Sequence, residues 1–212
     1  MIISHKYKFI FIHIPKCAGS SVSHCIRSSL GYSNDLSNAK KEDFLHFRVN
    51  SDYGNCEDLN QHEKYISISE YFKEKGWNID DYFKFSFVRN PWARRVSQFE
   101  YAKSEYERKG VRWAKEWSQM DFAEFLQKKD DLQFNWISQD GEISIDFVGK
   151  SENLQEDMGF VLEKIGIQPK KVWRRNKNKH KRYQSYYNDE LKQIVQNQSD
   201  VDINQFGYKF SE

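Results

Sequence analysis

The sequence predicts an α/β fold, three layers of α/β/α around a mainly parallel central sheet. Three observations carry this. The segments "YKFIFIHI" (7–14), "YFKFSFV" (82–88) and "ISIDFVG" (143–149) are β-branched or aromatic-rich and read as buried strands. Each is followed by a helix signal, and strands alternating with helices build parallel sheets. The first two strands also run straight into residues suited to anions, at the strand ends where such folds hold ligands.

Each element has its own reason. The first strand stops at Pro15, and a helix follows over 20–30. After the second, Pro91 sits at a first helical position, where its missing N–H costs nothing, and Trp92, Val96 and Phe99 share one face. After the third, Leu154, Met158, Val161, Leu162 and Ile165 form an amphipathic stripe ended by Gly166. A helix over 121–129 has Asp121 as cap and Phe122, Phe125 and Leu126 on one face. Another over 188–197 carries Leu191, Ile194 and Val195. Residues 31–64 are polar without a clean period and read as a long insertion of loops and short elements. No repeat or low-complexity linker interrupts the chain, so residues 1–212 are expected to form a single domain.

Composition narrows the function classes. The chain has 212 residues and a net charge of +2, so no global charge argues for nucleic acid. Aromatic residues make up 16%, enough to build much of a core. The cysteines, Cys17, Cys25 and Cys56, are too few and too scattered for a disulfide framework or a zinc pattern, and point to a reducing compartment. The apolar stretch Phe9–Ile14 is too short for a signal peptide and is interrupted by His13. No run approaches the roughly 18 apolar residues of a membrane span. A cytoplasmic protein is expected.

The richest segment is "FIHIPKCAGSSV" (11–22). A strand ends at Pro15, Lys16 follows, then a turn of small residues, Cys17-Ala18-Gly19, then Ser20 and Ser21. Small residues let backbone N–H groups approach an oxyanion. A serine here can cap the next helix, whose N-terminus favours negative charge. The loop is P-loop-like without being a P-loop, because the lysine precedes the single glycine. The second segment is "FKFSFVRNPWARRVSQFEY" (83–101). Arg89 leaves a strand end with a planar fork of donors suited to phosphate, and Ser97 offers a hydroxyl on the following helix. Two anion-suited strand ends fit a ligand with two separated phosphate groups.

These two segments resemble the sulfotransferases that use 3′-phosphoadenosine 5′-phosphosulfate (PAPS), in the form seen in carbohydrate sulfotransferases. "FIHIPKCAGSSV" resembles that family's 5′-phosphosulfate loop and "FVRNPWARRVSQF" its 3′-phosphate motif. "DFVGKSENLQEDM" (146–158), "NKNKHKRYQSYYNDEL" (176–191) and "INQFGYKF" (203–210) are similar to its later segments, in the same order. The resemblance implies that Lys16 contacts the phosphosulfate while Cys17, Ala18, Gly19, Ser20 and Ser21 wrap it. Cys17 stands where threonine is common. It implies that Arg89 and Ser97 hold the 3′-phosphate and that Asn176 and Lys177 close over the nucleotide, with Asn178 where serine is frequent. The reaction implied is sulfuryl transfer from PAPS to a hydroxyl of a carbohydrate or similar acceptor, with no metal.

The acceptor must lose a proton to a base. Relatives often carry a histidine where this chain has Tyr65, and a free tyrosine, with a pKa of roughly 10, is a poor base. His62, three residues earlier, is the better candidate; Glu63 adjoins it and His46 lies further off. The basic run "KKVWRRNKNKHKR" (170–182) reads as a nucleotide cover, as a rim for an anionic acceptor, or as a solvated face. Trp113, Trp117 and Trp136 read as sugar platforms or as core. Two other classes compete: a nucleotide-dependent kinase-like P-loop protein, which would want a Walker glycine pair and a magnesium aspartate, and a non-enzymatic polyanion-binding protein using 170–182.

Overall fold

In chain order the first elements are β1 (Ile2–Ser4), β2 (Phe9–Ile12), α1 (Gly19–Ser29), α2 (Tyr65–Glu74), β3 (Phe83–Val88) and α3 (Pro91–Lys109). Then come α4 (Arg112–Gln119), α5 (Phe122–Gln127), α6 (Phe134–Ile137), β4 (Ser138–Gln139), β5 (Glu142–Ile143) and β6 (Phe147–Lys150). The last are α7 (Leu154–Lys164), α8 (Asp189–Gln198) and α9 (Asp200–Phe206). This computed structural model describes residues 1–31, 59, 62–110, 112–128, 130–168 and 181–211.

The main sheet has the order β1-β2-β3-β6. β2 pairs with β3 and β3 with β6 in parallel, while β1 runs antiparallel at the edge. The mixed α/β architecture with a mainly parallel sheet is therefore the one the sequence predicts. Because β2 and β3 are parallel, the chain leaves both at the same end of the sheet.

The described chain divides into two compact units, Met1–Val88 with Asn135–Arg175, and Arg89–Phe134 with Asn176–Glu212. In the first, alternate strand residues Phe9, Phe11, Phe85 and Phe87 point to one face. There they bury against Val22, Cys25 and Ile26 of α1 and Leu154, Met158, Val161 and Leu162 of α7. Gly149 lies opposite Phe87 in the ladder, and a Cβ there would come within 2.5 Å of the Phe87 ring. In the second unit, Trp92 and Phe99 of α3 pack with Phe125, Leu126, Val195 and Ile203. Pro91 opens α3 and a left-handed Gly110 closes it, and α5 starts with a full capping box between Asp121 and Glu124.

Two local expectations change. The segment 143–149 is not one strand. Ile143 belongs to a small β4–β5 hairpin, and only Phe147–Lys150 joins the main sheet. Asp146 explains the break: its carboxylate accepts the Lys84 amide at 2.7 Å and meets the Lys84 ammonium at 3.2 Å, holding the chain in a turn before β6. The edge strand β1 and the helices α2, α4, α6 and α9 have no counterpart among the predicted elements. β1, α6 and α9 are too short for a period to show, so packing rather than pattern decides them. Among the described residues, no helix is long and apolar enough to cross a membrane.

Candidate functional site

The lysine loop is built on two left-handed residues, Lys16 (φ 67°) and Ala18 (φ 63°). L-residues rarely adopt this conformation, and such strain clusters at ligand clamps. Cys17 between them is buried; its amide donates to the Ile14 carbonyl at 3.3 Å and its thiol to the Pro15 carbonyl at 3.6 Å. The Ala18 carbonyl then accepts the amides of Ser21 (2.8 Å) and Val22 (3.1 Å), which starts α1 at Gly19. The predicted serine cap is therefore corrected: Ala18 is the N-cap, and no side chain caps the helix. The left-handed turn starts the helix early, so Ser20 and Ser21 fall inside its first turn, Ser21 buried and Ser20 half-buried. The first amides of a helix, here Gly19 and Ser20, lack an intrahelical acceptor. No acidic residue occupies that turn, so the positive end of α1 adds to the half-buried Lys16.

Gly19 is needed for space rather than for its backbone angles. A Cβ on it would lie 1.9 Å from the His13 ring, which is buried against the loop. No motif in the sequence gives His13 a role at the site; its signal is a histidine in an otherwise apolar strand end, two residues before the proline-lysine pair. Burial, reinforced by surrounding positive charge including Lys16, holds the His13 pKa well below the usual histidine value.

His62 lies beside the same loop. Its Nδ1 bonds the His13 carbonyl at 2.9 Å, and the two rings stand 4.5 Å apart. A carbonyl only accepts, so Nδ1 carries the proton and Nε2 keeps its lone pair. Although His62 reaches solvent, protein around the ring excludes water and lowers its pKa, while the bond to His13 pulls the other way. Surrounding positive charge, that of Lys16 included, lowers it further. Trp136 stands edge-on to His62 at 6.3 Å, with the Lys64 ammonium 5.8 Å from the indole centroid. Tyr65 is buried at the start of α2, and burial pushes its phenol pKa up, with Asp80 and Asp146 adding to the shift.

The second unit holds Arg89 and Ser97. Arg89 is half-buried, one residue before Asn90, whose side chain caps α3 through the Ala93 amide at 3.3 Å. Ser97 is buried on the second turn of that helix. Gln133, which no sequence pattern marks, bonds both main-chain groups of Arg89 at 2.8 Å. Deeper in α3, Arg94 pairs with Asp130 at 2.5 Å, and Arg95 donates to the carbonyls of Phe125 and Lys128.

The structure thus brings Lys16, Cys17, Ala18, Gly19, Ser20, Ser21 and His62 together in one unit. Asn176, Lys177, His46, Cys56 and most of the basic run lie outside the described residues. So does the Trp113 side chain, while Trp117 packs against Phe125 in the core. Among the described residues, no group of three or more His, Cys, Asp or Glu side chains could hold a metal ion.

An uncharacterized protein of Archaeoglobus fulgidus is 35% identical over 95 residues, 42% of this chain and 72% of that protein. Carbohydrate sulfotransferase 11 of Mus musculus is 23% identical over 200 residues, 79% of this chain and 53% of the relative. Carbohydrate sulfotransferase 14 of the same organism is 24% identical over 193 residues, 80% and 47% respectively. The chain spans about half the length of the carbohydrate sulfotransferases it matches. No solved structure matches it significantly. The sequence profile of the sulfotransferase family matches residues 1–209, and on that near-complete match the chain belongs to the sulfotransferase family.

Proposed function

We propose that this chain transfers a sulfuryl group from PAPS to a hydroxyl of a carbohydrate or similar acceptor. The observation that carries the reading is the pairing of a lysine loop with a neutral histidine whose Nε2 keeps its lone pair. In this scheme the acceptor hydroxyl gives its proton to His62 Nε2 and its oxygen bonds the sulfur. The bond from sulfur to the bridging phosphate oxygen breaks, and adenosine 3′,5′-bisphosphate leaves. Lys16 and the amides of Gly19 and Ser20 face the oxygen on which charge develops, usually the largest catalytic contribution. Arg89 and Ser97 hold the 3′-phosphate, and Asn176 and Lys177 cover the nucleotide. The carbohydrate acceptor is supported by the names of the mouse relatives.

Incubation with sulfur-labelled PAPS and a panel of glycans, lipids and phenols tests the reading. The expected result is labelled glycan, with the rate cut about 10²–10³-fold in Lys16→Ala. Absence of transfer to any acceptor, together with no calorimetric binding of adenosine 3′,5′-bisphosphate, overturns it.

A further inference from the structure

We propose that Gln133 is the positioning residue for Arg89, and that Asp202 holds Gln133 in place. The proposal rests on reading Arg89 as the 3′-phosphate ligand. Gln133 is fully buried, and its side-chain amide uses both ends on one residue. Oε1 accepts the Arg89 amide and Nε2 donates to the Arg89 carbonyl, each at 2.8 Å. This is the pair of bonds that a neighbouring strand would supply. Arg89 needs such a substitute because the β3 ladder ends one residue earlier, where Val88 pairs with Lys150.

Gln133 is itself anchored. Its main-chain amide and Nε2 donate to Asp202 Oδ2 at 2.8 and 3.3 Å, and the Phe134 amide donates to Oδ1 at 2.9 Å. Asp202 is 1% exposed, so a buried carboxylate is committed to these donors. On the other side of Arg89, Asn90 Nδ2 donates to the Lys209 carbonyl at 2.8 Å. The main chain at 89–90 is thereby pinned from two directions, and the guanidinium starts from a fixed Cα. Preorganisation of this kind raises affinity by removing the ordering cost at binding.

A purely structural role would change folding stability without changing which nucleotide is preferred. Calorimetry on the full chain therefore measures affinity for adenosine 3′,5′-bisphosphate and for adenosine 5′-monophosphate, and the ratio isolates the 3′-phosphate. Arg89→Ala is expected to abolish the preference for the bisphosphate. Gln133→Leu is expected to cut it at least about tenfold, the scale of a charge-assisted hydrogen bond losing its alignment, with monophosphate affinity unchanged. Added to Arg89→Ala, Gln133→Leu changes nothing further. If Gln133→Leu keeps the full preference while Arg89→Ala loses it, the clamp is overturned and the reading of Arg89 stands. An unaltered protein without the preference, or an Arg89→Ala protein that retains it, overturns both. Where Gln133→Leu does not fold, Asp202→Asn decides by the same ratio, because its NH₂ must face an N–H donor on one side. Loss of preference supports the clamp, and retention overturns it.

Discussion

His62 donates its Nδ1 proton to the main-chain carbonyl of His13 at 2.9 Å, while the His13 ring fills the space a side chain on Gly19 would need. One residue at the end of a strand thus serves two neighbours. Its carbonyl sets the tautomer of the candidate base, and its ring sets how closely the lysine loop approaches.

The first prediction concerns that base. His62→Gln should lower kcat by about 10²–10⁴-fold. In the unaltered protein the acid limb of kcat/KM should fall below about pH 6.5, because the His62 pKa is depressed by its surroundings. The limb should vanish in the variant. Tyr65→Phe should leave the pH profile unchanged, since burial pushes that phenol away from neutral pH. A pH–rate series on the three proteins decides; an acid limb that persists in His62→Gln rules the residue out as base.

Gly19→Ala should destabilise the fold by about 1–3 kcal/mol, the usual scale of overpacking, and weaken bisphosphate binding. The added Cβ would meet the buried His13 ring at 1.9 Å, which leaves the ring no room. Gly159→Ala is the matched control. It lies inside α7 with nothing within 4 Å of its would-be Cβ, and should stabilise by about 0.5–1 kcal/mol. Urea midpoints of the two variants should move in opposite directions.

His13 should make the protein acid-sensitive. Its folded pKa lies well below its unfolded value, so below about pH 6.5 the unfolded chain binds a proton that the folded one refuses. Stability is complete above that pH and falls as pH drops, by up to about 1.4 kcal/mol per unit for each such group. His62 acts in the same direction. Chemical denaturation between pH 7.5 and 5 checks this, with His13→Phe expected to flatten the slope.

In the second unit, Asp130→Ala should cost about 3–5 kcal/mol, the penalty of leaving buried charge without its partner. Asp130 lies 2.5 Å from Arg94 and 3.9 Å from Arg95, and both guanidinium groups are almost fully buried. Thermal unfolding of the variant against Lys128→Ala, whose ion pair with Glu116 is exposed, separates the two cases. The exposed pair should be worth less than about 1 kcal/mol.

Much of this protein was written locally. The cores of the first two strands, the Pro91 start of α3, the Asp121 cap and the α7 stripe follow from periodicity and caps, which depend on a few adjacent residues. So does the lysine loop as a chemical proposal, because its residue types lie side by side in sequence. Tertiary structure decided what depends on residues far apart. It seated His62 on the carbonyl of His13 across 49 residues, and Gln133 on Arg89 across 44. It also started α1 at Gly19 instead of at a serine, since the left-handed Ala18 turn and the His13 ring set that boundary together. Periodicity records which face of an element is buried; it carries no record of which distant donor meets which acceptor, and those pairings orient the chemistry of this site.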